Sequence, residues 1–287
     1  SFYAGPDLDE HGSEKTGRIF AALKSVSLSQ AKASARVSEL LQEEVTRLMR
    51  NPHLALAFLR DARTAEDVHA LLRYYTTTLN YVSSLAKGSI VKQELEDATF
   101  RIRGQVGRDL NVVYTSSRTP SAEVVDVVHK IENPPGWEDA AFLDALVATS
   151  MISHGVDLER VNIMVMDGVP EETAEYIQAS SRSGRRHVGL VVVVLADYVL
   201  RSASIYHRFI EYHQHLDRMV SPVPVNRFAK YAAERTLPGI AVGLLYGLHI
   251  PRDPEADLSK RVWAEKLISA LGGTFLMELH ESYFLGA

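Results

Sequence analysis

The rhythm of apolar and polar positions changes partway along the chain. Residues 1–17 are polar and glycine-bearing, and Ile19 to Val26 then predicts a short strand. Ser27 or Ser29 caps the helix that follows. There Val37, Leu40, Leu41, Val45 and Leu48 recur at spacings of three and four, one face of a helix, and Asn51-Pro52 ends it. Thr64-Ala65-Glu66-Asp67 has the form of a capping box, whereas Leu71-Leu72-Arg73-Tyr74-Tyr75 reads equally as a strand rich in aromatics. A helical region from about Leu79 to Phe100, interrupted near Gly88, comes next.

From Asn111 the pattern becomes short apolar runs alternating with helix signals. Asn111–Thr115, Leu143–Thr149, Val161–Met166 and Val188–Leu195 predict buried strands. Thr119 caps a helix with Pro120 at its first position, and Glu171–Ser181 predicts another. Strand, helix and strand at this spacing mean a parallel sheet. Beyond Asp197 the signals turn helical over Ser204–Val220, Arg227–Gly247 with a kink at Pro238, and Ser259–Leu271. The expectation is an α/β fold, a mostly parallel sheet flanked by helices, with a C-terminal helical extension. Its divisions are an N-terminal segment with a helix at 1–60, the sheet domain at 61–200 and the extension at 201–287.

Composition narrows the function classes. The chain has 287 residues, of which 46% are hydrophobic and 23% charged, so wholesale disorder is ruled out. Lys+Arg 31 against Asp+Glu 36 leaves a net charge of −5, and any nucleic-acid site must be a local patch. The absence of cysteine excludes a disulfide framework, a thiolate nucleophile and Cys-rich zinc sites, and fits a reducing cytoplasm. The longest apolar run, Leu190–Ala196, falls far short of the roughly 20 residues of a membrane-spanning helix. The chain starts at Ser1 without the order of a signal peptide and reads as a piece of a longer cytoplasmic protein.

Two segments carry chemistry: Ala148-Thr149-Ser150-Met151-Ile152-Ser153-His154-Gly155-Val156-Asp157, and Glu175-Tyr176-Ile177-Gln178-Ala179-Ser180-Ser181-Arg182-Ser183-Gly184-Arg185-Arg186. Both lie where the chain leaves or approaches a strand, and loops at the carboxyl ends of parallel strands bind ligands. Gly155 lets backbone approach a ligand closely, and Asp157 is placed to accept from a sugar hydroxyl. Arg182 and Arg185, three apart, would face one anion if helical. A solvated basic turn and a strand-end carboxylate are the plainer reading of the same spacing.

At these residues the sequence resembles the second RecA-like domain of superfamily 2 helicases. The first segment resembles their motif V, with its Thr, Gly and Asp; the second resembles motif VI, a Gln followed by Arg-x-Gly-Arg. The resemblance implies that Gly155 and Asp157 touch the nucleotide, that Gln178 helps sense it, and that Arg182 and Arg185 reach the phosphates as arginine fingers. It implies also that Thr149 and Ser150 lie against the nucleic-acid backbone. Tyr74-Tyr75 through Leu85 would correspond to motif IV, with Thr115-Ser116-Ser117-Arg118 a further backbone-contacting loop; an ordinary capped helix entry is the alternative for that loop. Many relatives carry an Arg after the motif VI glutamine, where Ala179 stands here.

Thr149–Arg185 together with Tyr198–Gly247, including Tyr206-His207-Arg208-Phe209, Tyr212-His213 and Val223-Pro224-Val225-Asn226-Arg227-Phe228, resembles the helicase subunit of the DISARM class of bacterial antiphage systems. That resemblance spans about Asn111–Gly247. It implies ATP with Mg2+ held mainly by a first RecA-like domain, single-stranded or partly duplex DNA as a partner, and a partner subunit from the defence system. The sequence shows no P-loop: Gly12-Ser13-Glu14-Lys15-Thr16 has Glu14 where a glycine is required, and Asp9-Glu10-His11 follows no strand.

His207, His213 and His215 are poorly spaced for one ion on a helix, so no metal site is expected. Tyr206, Phe209 and Tyr212 recur every three residues as core or interface aromatics, part of an extension expected to brace the core and dock a partner. Arg101, Arg103 and Arg108 with Arg118 form a second basic group. A non-catalytic RecA-like scaffold is the competing function; Gly104-Gln105-Val106-Gly107 matches a dehydrogenase fingerprint too poorly to support a third.

Overall fold

The computed structural model describes residues 17–59, 62–149, 158–221, 231–249 and 261–284. The strands β1 (Arg18–Ser25), β2 (Thr78–Val82), β3 (Val112–Thr115), β4 (Ala145–Ala148), β5 (Ile163–Asp167) and β6 (Gly189–Ala196) form one six-stranded sheet. Its order is β1-β6-β5-β2-β4-β3, and every neighbouring pair is parallel. This is the α/β architecture, a parallel sheet flanked by helices, expected from the alternation of apolar runs and helix signals, and it agrees with the RecA-like fold that the motif resemblance implies.

Helices cover both faces. Alternate residues sort the sheet: Leu79, Tyr81, Leu146, Ala148, Met164 and Met166 face one way. They pack with α5 (Ser121–Glu132), α6 (Thr173–Ser180), α7 (Leu200–His207) and α8 (Phe209–Gln214) through Val127, Ile131, Tyr176, Ile205 and Tyr212. Val82, Val112, Ala145 and Val147 face the other way, against Ala31 and Ala35 of α1 (Gln30–Arg50) and Val91 and Leu95 of α4 (Leu85–Val106). A short α2 (His53–Leu56) and α3 (Ala65–Leu72) pack through Ala55, Val68 and Leu72.

Ser29 caps α1 by accepting from the Lys32 amide, and Thr64 and Asp67 form a reciprocal capping box at α3, as their sequences predict. α1 does not bury the expected face, however: Leu40 is 47% exposed, whereas Ser34, Ser38, Glu39 and Gln42 are buried. The sheet beneath it is polar. Gln42 donates to Thr78, Ser34 to Asp167 at 3.3 Å, and Gln30 to the Val194 carbonyl at 2.8 Å. Hydrogen bonds make this polar face the buried one. Leu41, Val45 and Leu48 instead line a groove of about 660 Å³ with Leu54, Phe58 and Tyr75.

A second difference is β2, where a helical region was expected to begin. Its residues are all buried between β5 and β4, so it shows no alternation. Gly88 does not interrupt α4 but lets it approach Tyr114, since a Cβ there would stand 2.5 Å from the tyrosine ring. The sheet also reaches back across residue 61, because β1 pairs along its whole length with β6. α7, α8 and the short helix Leu216–Met219 lie in the same compact unit as the sheet, which ends at Ser221.

A second unit begins at Pro222. Its described part consists of α9 (Ala232–Leu244) with Pro238 inside it, a turn of π-helix at Leu245–His249, and α10 (Arg261–Phe284) kinked at Gly272. Leu245, Phe275 and Leu279 form its core with Leu237, Ile240 and Leu244. Val223–Phe228 lies outside the described residues. No helix among the described residues is long and apolar enough to cross a membrane.

Candidate functional site

Helix α6 leaves the carboxyl end of β5 and returns to the other edge of the sheet, where β6 begins. The arginine segment is therefore a loop at the amino edge, where the chain approaches β6, and not one of the carboxyl-edge loops that commonly bind ligands. α6 also ends at Ser180, so Arg182 and Arg185 are not related by a helical turn. A left-handed residue, Gly184 at φ +74°, lies between them.

The loop is fixed by groups far away in sequence. Arg18, the first residue of β1, donates through Nε to the Ser183 carbonyl at 2.6 Å and through Nη2 to the Ser181 carbonyl at 2.9 Å. The Gly184 amide donates to Oδ1 of Asn162 at 3.1 Å, and Ser183 is fully buried. The Gly189 amide donates to the Gly17 carbonyl at 3.0 Å, and the Tyr75 hydroxyl to the Val188 carbonyl at 2.7 Å. Beyond the loop, Arg186 pairs with Glu159 at 2.6 Å, and His187 meets the ring of Tyr74, over which Arg160 also lies.

Arg182 is half-buried, and Arg185 and Gln178 are exposed. The Gln178 carbonyl accepts from the Ser181 hydroxyl at 2.7 Å, which ties the end of α6 to the loop. Burial, then the neighbouring charge of Arg185, holds the Arg18 guanidinium below its ordinary range. Arg18 and Arg185 thus form a local concentration of positive charge on an otherwise acidic chain, the chemistry a polyphosphate requires.

Ser150, Gly155 and Asp157 lie outside the described residues. Leu158 is fully buried, and Glu159 joins the arginine loop through Arg186. The chain following the first motif therefore meets the second motif at one edge.

Thr115, Ser116, Arg118 and Thr149 occupy the opposite, carboxyl edge. The Thr149 amide donates to the Thr115 carbonyl at 3.3 Å, bringing the ends of β4 and β3 together. The Ser116 hydroxyl accepts from the Arg118 amide at 3.3 Å and the Thr119 hydroxyl from the Ser116 amide at 2.9 Å, a tight turn into α5. Thr115, Ser116 and Thr149 are buried, and Arg118 is exposed. Arg108, grouped with Arg118 on sequence, is instead buried in an ion pair with Asp144; the side chains of Arg101 and Arg103 lie outside the described residues.

Sequence reasoning missed three features. Arg18 carries no local signal, since only the register Arg18↔Gly189 brings it to the loop. Asn162 reads as one polar residue before an apolar run. Asp167, at the carboxyl end of β5, is buried and paired with Lys87 at 2.7 Å beside a cavity of about 570 Å³. Arg201 closes the rim of that cavity by donating to the carbonyls of Val169, Pro170 and Glu171. His213 is a packed core ring, and among the described residues no group of three or more His, Cys, Asp or Glu gathers as a metal site would require.

Comparison with known proteins matches residues 90–187 to the helicase conserved C-terminal domain. Over 130 residues the chain is 42% identical to the DISARM protein DrmA of Bacillus paralicheniformis, a stretch covering 45% of this chain and 11% of that protein. Among solved structures, the DUF1998 helicase MrfA bound to DNA aligns with 68% of this chain and 21% of its own at 14% identity, TM-score 0.48. Mycobacterium smegmatis helicase Lhr bound to ssDNA and AMP-PNP aligns with 78% of this chain and 25% of its own at 15% identity, TM-score 0.47. The chain spans 11% of the curated relative and about a fifth to a quarter of these two structures. This chain carries a helicase C-terminal domain that resembles the corresponding part of a DISARM protein.

Proposed function

We propose that this chain is the C-terminal motor half of an ATP-dependent superfamily 2 DNA helicase or translocase acting in antiphage defence. The observation that carries the reading is the stapled loop at the amino edge, in which Arg182 and Arg185 stand beside Arg18. In it Arg182 and Arg185 are the arginine fingers, Gln178 senses the nucleotide, and Gly155 and Asp157 complete this side of the nucleotide site. ATP with Mg2+ would supply the transferable phosphoryl group, held mainly by a first RecA-like domain of the parent protein. The guanidinium groups of this chain would neutralise charge on the phosphate oxygens as the bond to the leaving group lengthens; such fingers contribute about 10³–10⁵ in rate.

Thr149, Ser150, Thr115, Ser116 and Arg118 serve the other edge, where single-stranded or partly duplex DNA would run. The Ser116 hydroxyl shapes the turn by accepting from the Arg118 amide, while Arg118 and exposed backbone meet phosphate. With nucleotide at one edge and nucleic acid at the other, a change in separation between the two RecA-like domains is felt as movement along the strand. A defence-system subunit is the further partner of the parent protein, which works in the bacterial cytoplasm.

The test is steady-state ATP hydrolysis by the parent protein with and without DNA. Arg182→Ala is expected to remove most DNA-stimulated turnover while the protein stays folded. Unchanged hydrolysis would exclude the fingers and leave the scaffold reading, in which the domain serves assembly alone.

A further inference from the structure

We infer that Arg18 is a positioning residue for the arginine loop, gripping the backbone on both sides of Arg182. This rests on the proposed function for its catalytic consequence but not for its geometry. The two carbonyls that Arg18 engages belong to Ser181 and Ser183, the residues flanking Arg182, so one rigid guanidinium fork fixes the peptide that enters Arg182 and the peptide that leaves Ser183. The contacts join residues 163 and 165 apart in sequence, across the seam between β1 and β6.

The surroundings show what the grip is for. Below it, Ser183 is buried and Asn162 takes the Gly184 amide; behind it, Gly184 lies against the Gly17 carbonyl. The loop is therefore packed on its inner side and held laterally by Arg18, the first residue of an edge strand. Packing alone does not require a cation there. A guanidinium half removed from water, beside the like charge of Arg185, is a costly staple that a neutral donor or an apolar residue would replace if only stability were at stake. A fork does what neither can: it holds two carbonyls at fixed separation. The neighbouring positive charge also favours Arg185 when an anion arrives.

Two measurements separate the grip from its use. In this chain, hydrogen exchange at the amides of Gly184 and Gly189 reports whether the loop is held. Arg18→Ala should speed exchange there by about tenfold or more while the central strands keep their protection. In the parent protein, Arg18→Ala should lower the kcat of DNA-stimulated ATP hydrolysis by about 10²-fold, the scale of a small misplacement of a catalytic group, with little change in KM for ATP. Arg18→Lys keeps the charge without the fork and should recover only part of kcat. It also provides the comparison should the alanine variant unfold.

Unchanged exchange at Gly184 and Gly189 in both variants would overturn the grip. Faster exchange with unchanged kcat, where Arg182→Ala abolishes turnover, would overturn the positioning role. Full recovery by Arg18→Lys would show that charge and not the fork matters, and would overturn it as well. Turnover unaffected by Arg182→Ala would defeat the motor reading instead, and the exchange result would still decide the geometry.

Discussion

Gly184 lies so close to Gly189 that a Cβ on Gly184 would stand 2.7 Å from the Gly189 nitrogen, and a Cβ on Gly189 would stand 2.8 Å from the Gly184 nitrogen. The obstacle is backbone on both sides, so neither contact is relieved by rotating a side chain. Gly184 also holds φ +74°, which costs a non-glycine residue about 1–3 kcal/mol before any clash. Gly184→Ala should therefore lower stability by at least that amount in urea unfolding and disorder the loop bearing Arg182 and Arg185. An unchanged unfolding midpoint would show that the turn relaxes without penalty.

His213 gives the fold a pH dependence of known sign. Its Nδ1 lies 2.8 Å from the Phe209 carbonyl, which only accepts, so Nδ1 carries the proton and Nε2 accepts from the Tyr176 hydroxyl at 2.8 Å. Phe20 and Phe209 pack the ring at 4.6 and 4.2 Å. Burial lowers its pKa, against a smaller opposing effect of the Phe209 hydrogen bond. The unfolded chain thus takes up this proton more readily, so the contribution is complete above about pH 6.5 and is lost as pH falls through the depressed folded value. Thermal melts between pH 5 and 7 should show a falling midpoint, and His213→Phe should flatten the slope. An equal slope in that variant would assign the titration to another group.

The pair of Arg108 and Asp144 is the sharpest test of buried charge. Two hydrogen bonds of 2.7 and 2.9 Å join them, with their side chains 9% and 3% exposed, and Arg108 also donates to the Trp137 carbonyl. Arg108→Ala strands the carboxylate and should cost about 3–5 kcal/mol. Burial already raises the Asp144 pKa more than Arg108 lowers it, and loss of the cation raises it further. A carboxyl raised in the folded state favours folding in acid and loses that contribution as pH rises through its folded pKa. The deficit of the variant should therefore be smaller near pH 5 than near pH 8. A deficit independent of pH would mean that Asp144 finds another cation.

The sheet was legible where strands are continuous apolar runs, as in Leu190–Ala196, and where a glycine or proline marks the next element. It was hidden at β2, because Thr78, Asn80 and Tyr81 alternate no better as a strand than as the start of a helix once both faces are buried. The buried face of α1 was misread because Ser34 and Gln42 are buried through partners on β5 and β2, which lie 133 and 36 residues away. At the site, Arg182 and Arg185 could be named from their motif, but not the residue that holds their loop. Arg18 reaches it from 165 and 163 residues away, only through the register of β1 on β6.

Arg118 offers the cleanest test of the nucleic-acid edge. It is exposed at the turn between β3 and α5, and the turn itself is held by backbone donors on the Ser116 and Thr119 hydroxyls, not by its guanidinium. Removing the charge should leave the fold intact. On a chain of net charge −5, binding to single-stranded DNA must rest on few phosphate contacts and be weak and strongly salt-dependent. Arg118→Ala should weaken binding similarly for all sequences and reduce the slope of log K against log salt by about one, as for one lost phosphate contact. Thr115→Val is the contrasting variant. Its hydroxyl is buried and has no hydrogen-bond partner among the described residues, so a strand running over the surface would not sense its loss. Fluorescence anisotropy of labelled DNA across a salt series reads both. If Thr115→Val weakens binding while Arg118→Ala leaves affinity and slope unchanged, DNA does not cross this edge through Arg118, and the turn is only the capped entry to α5.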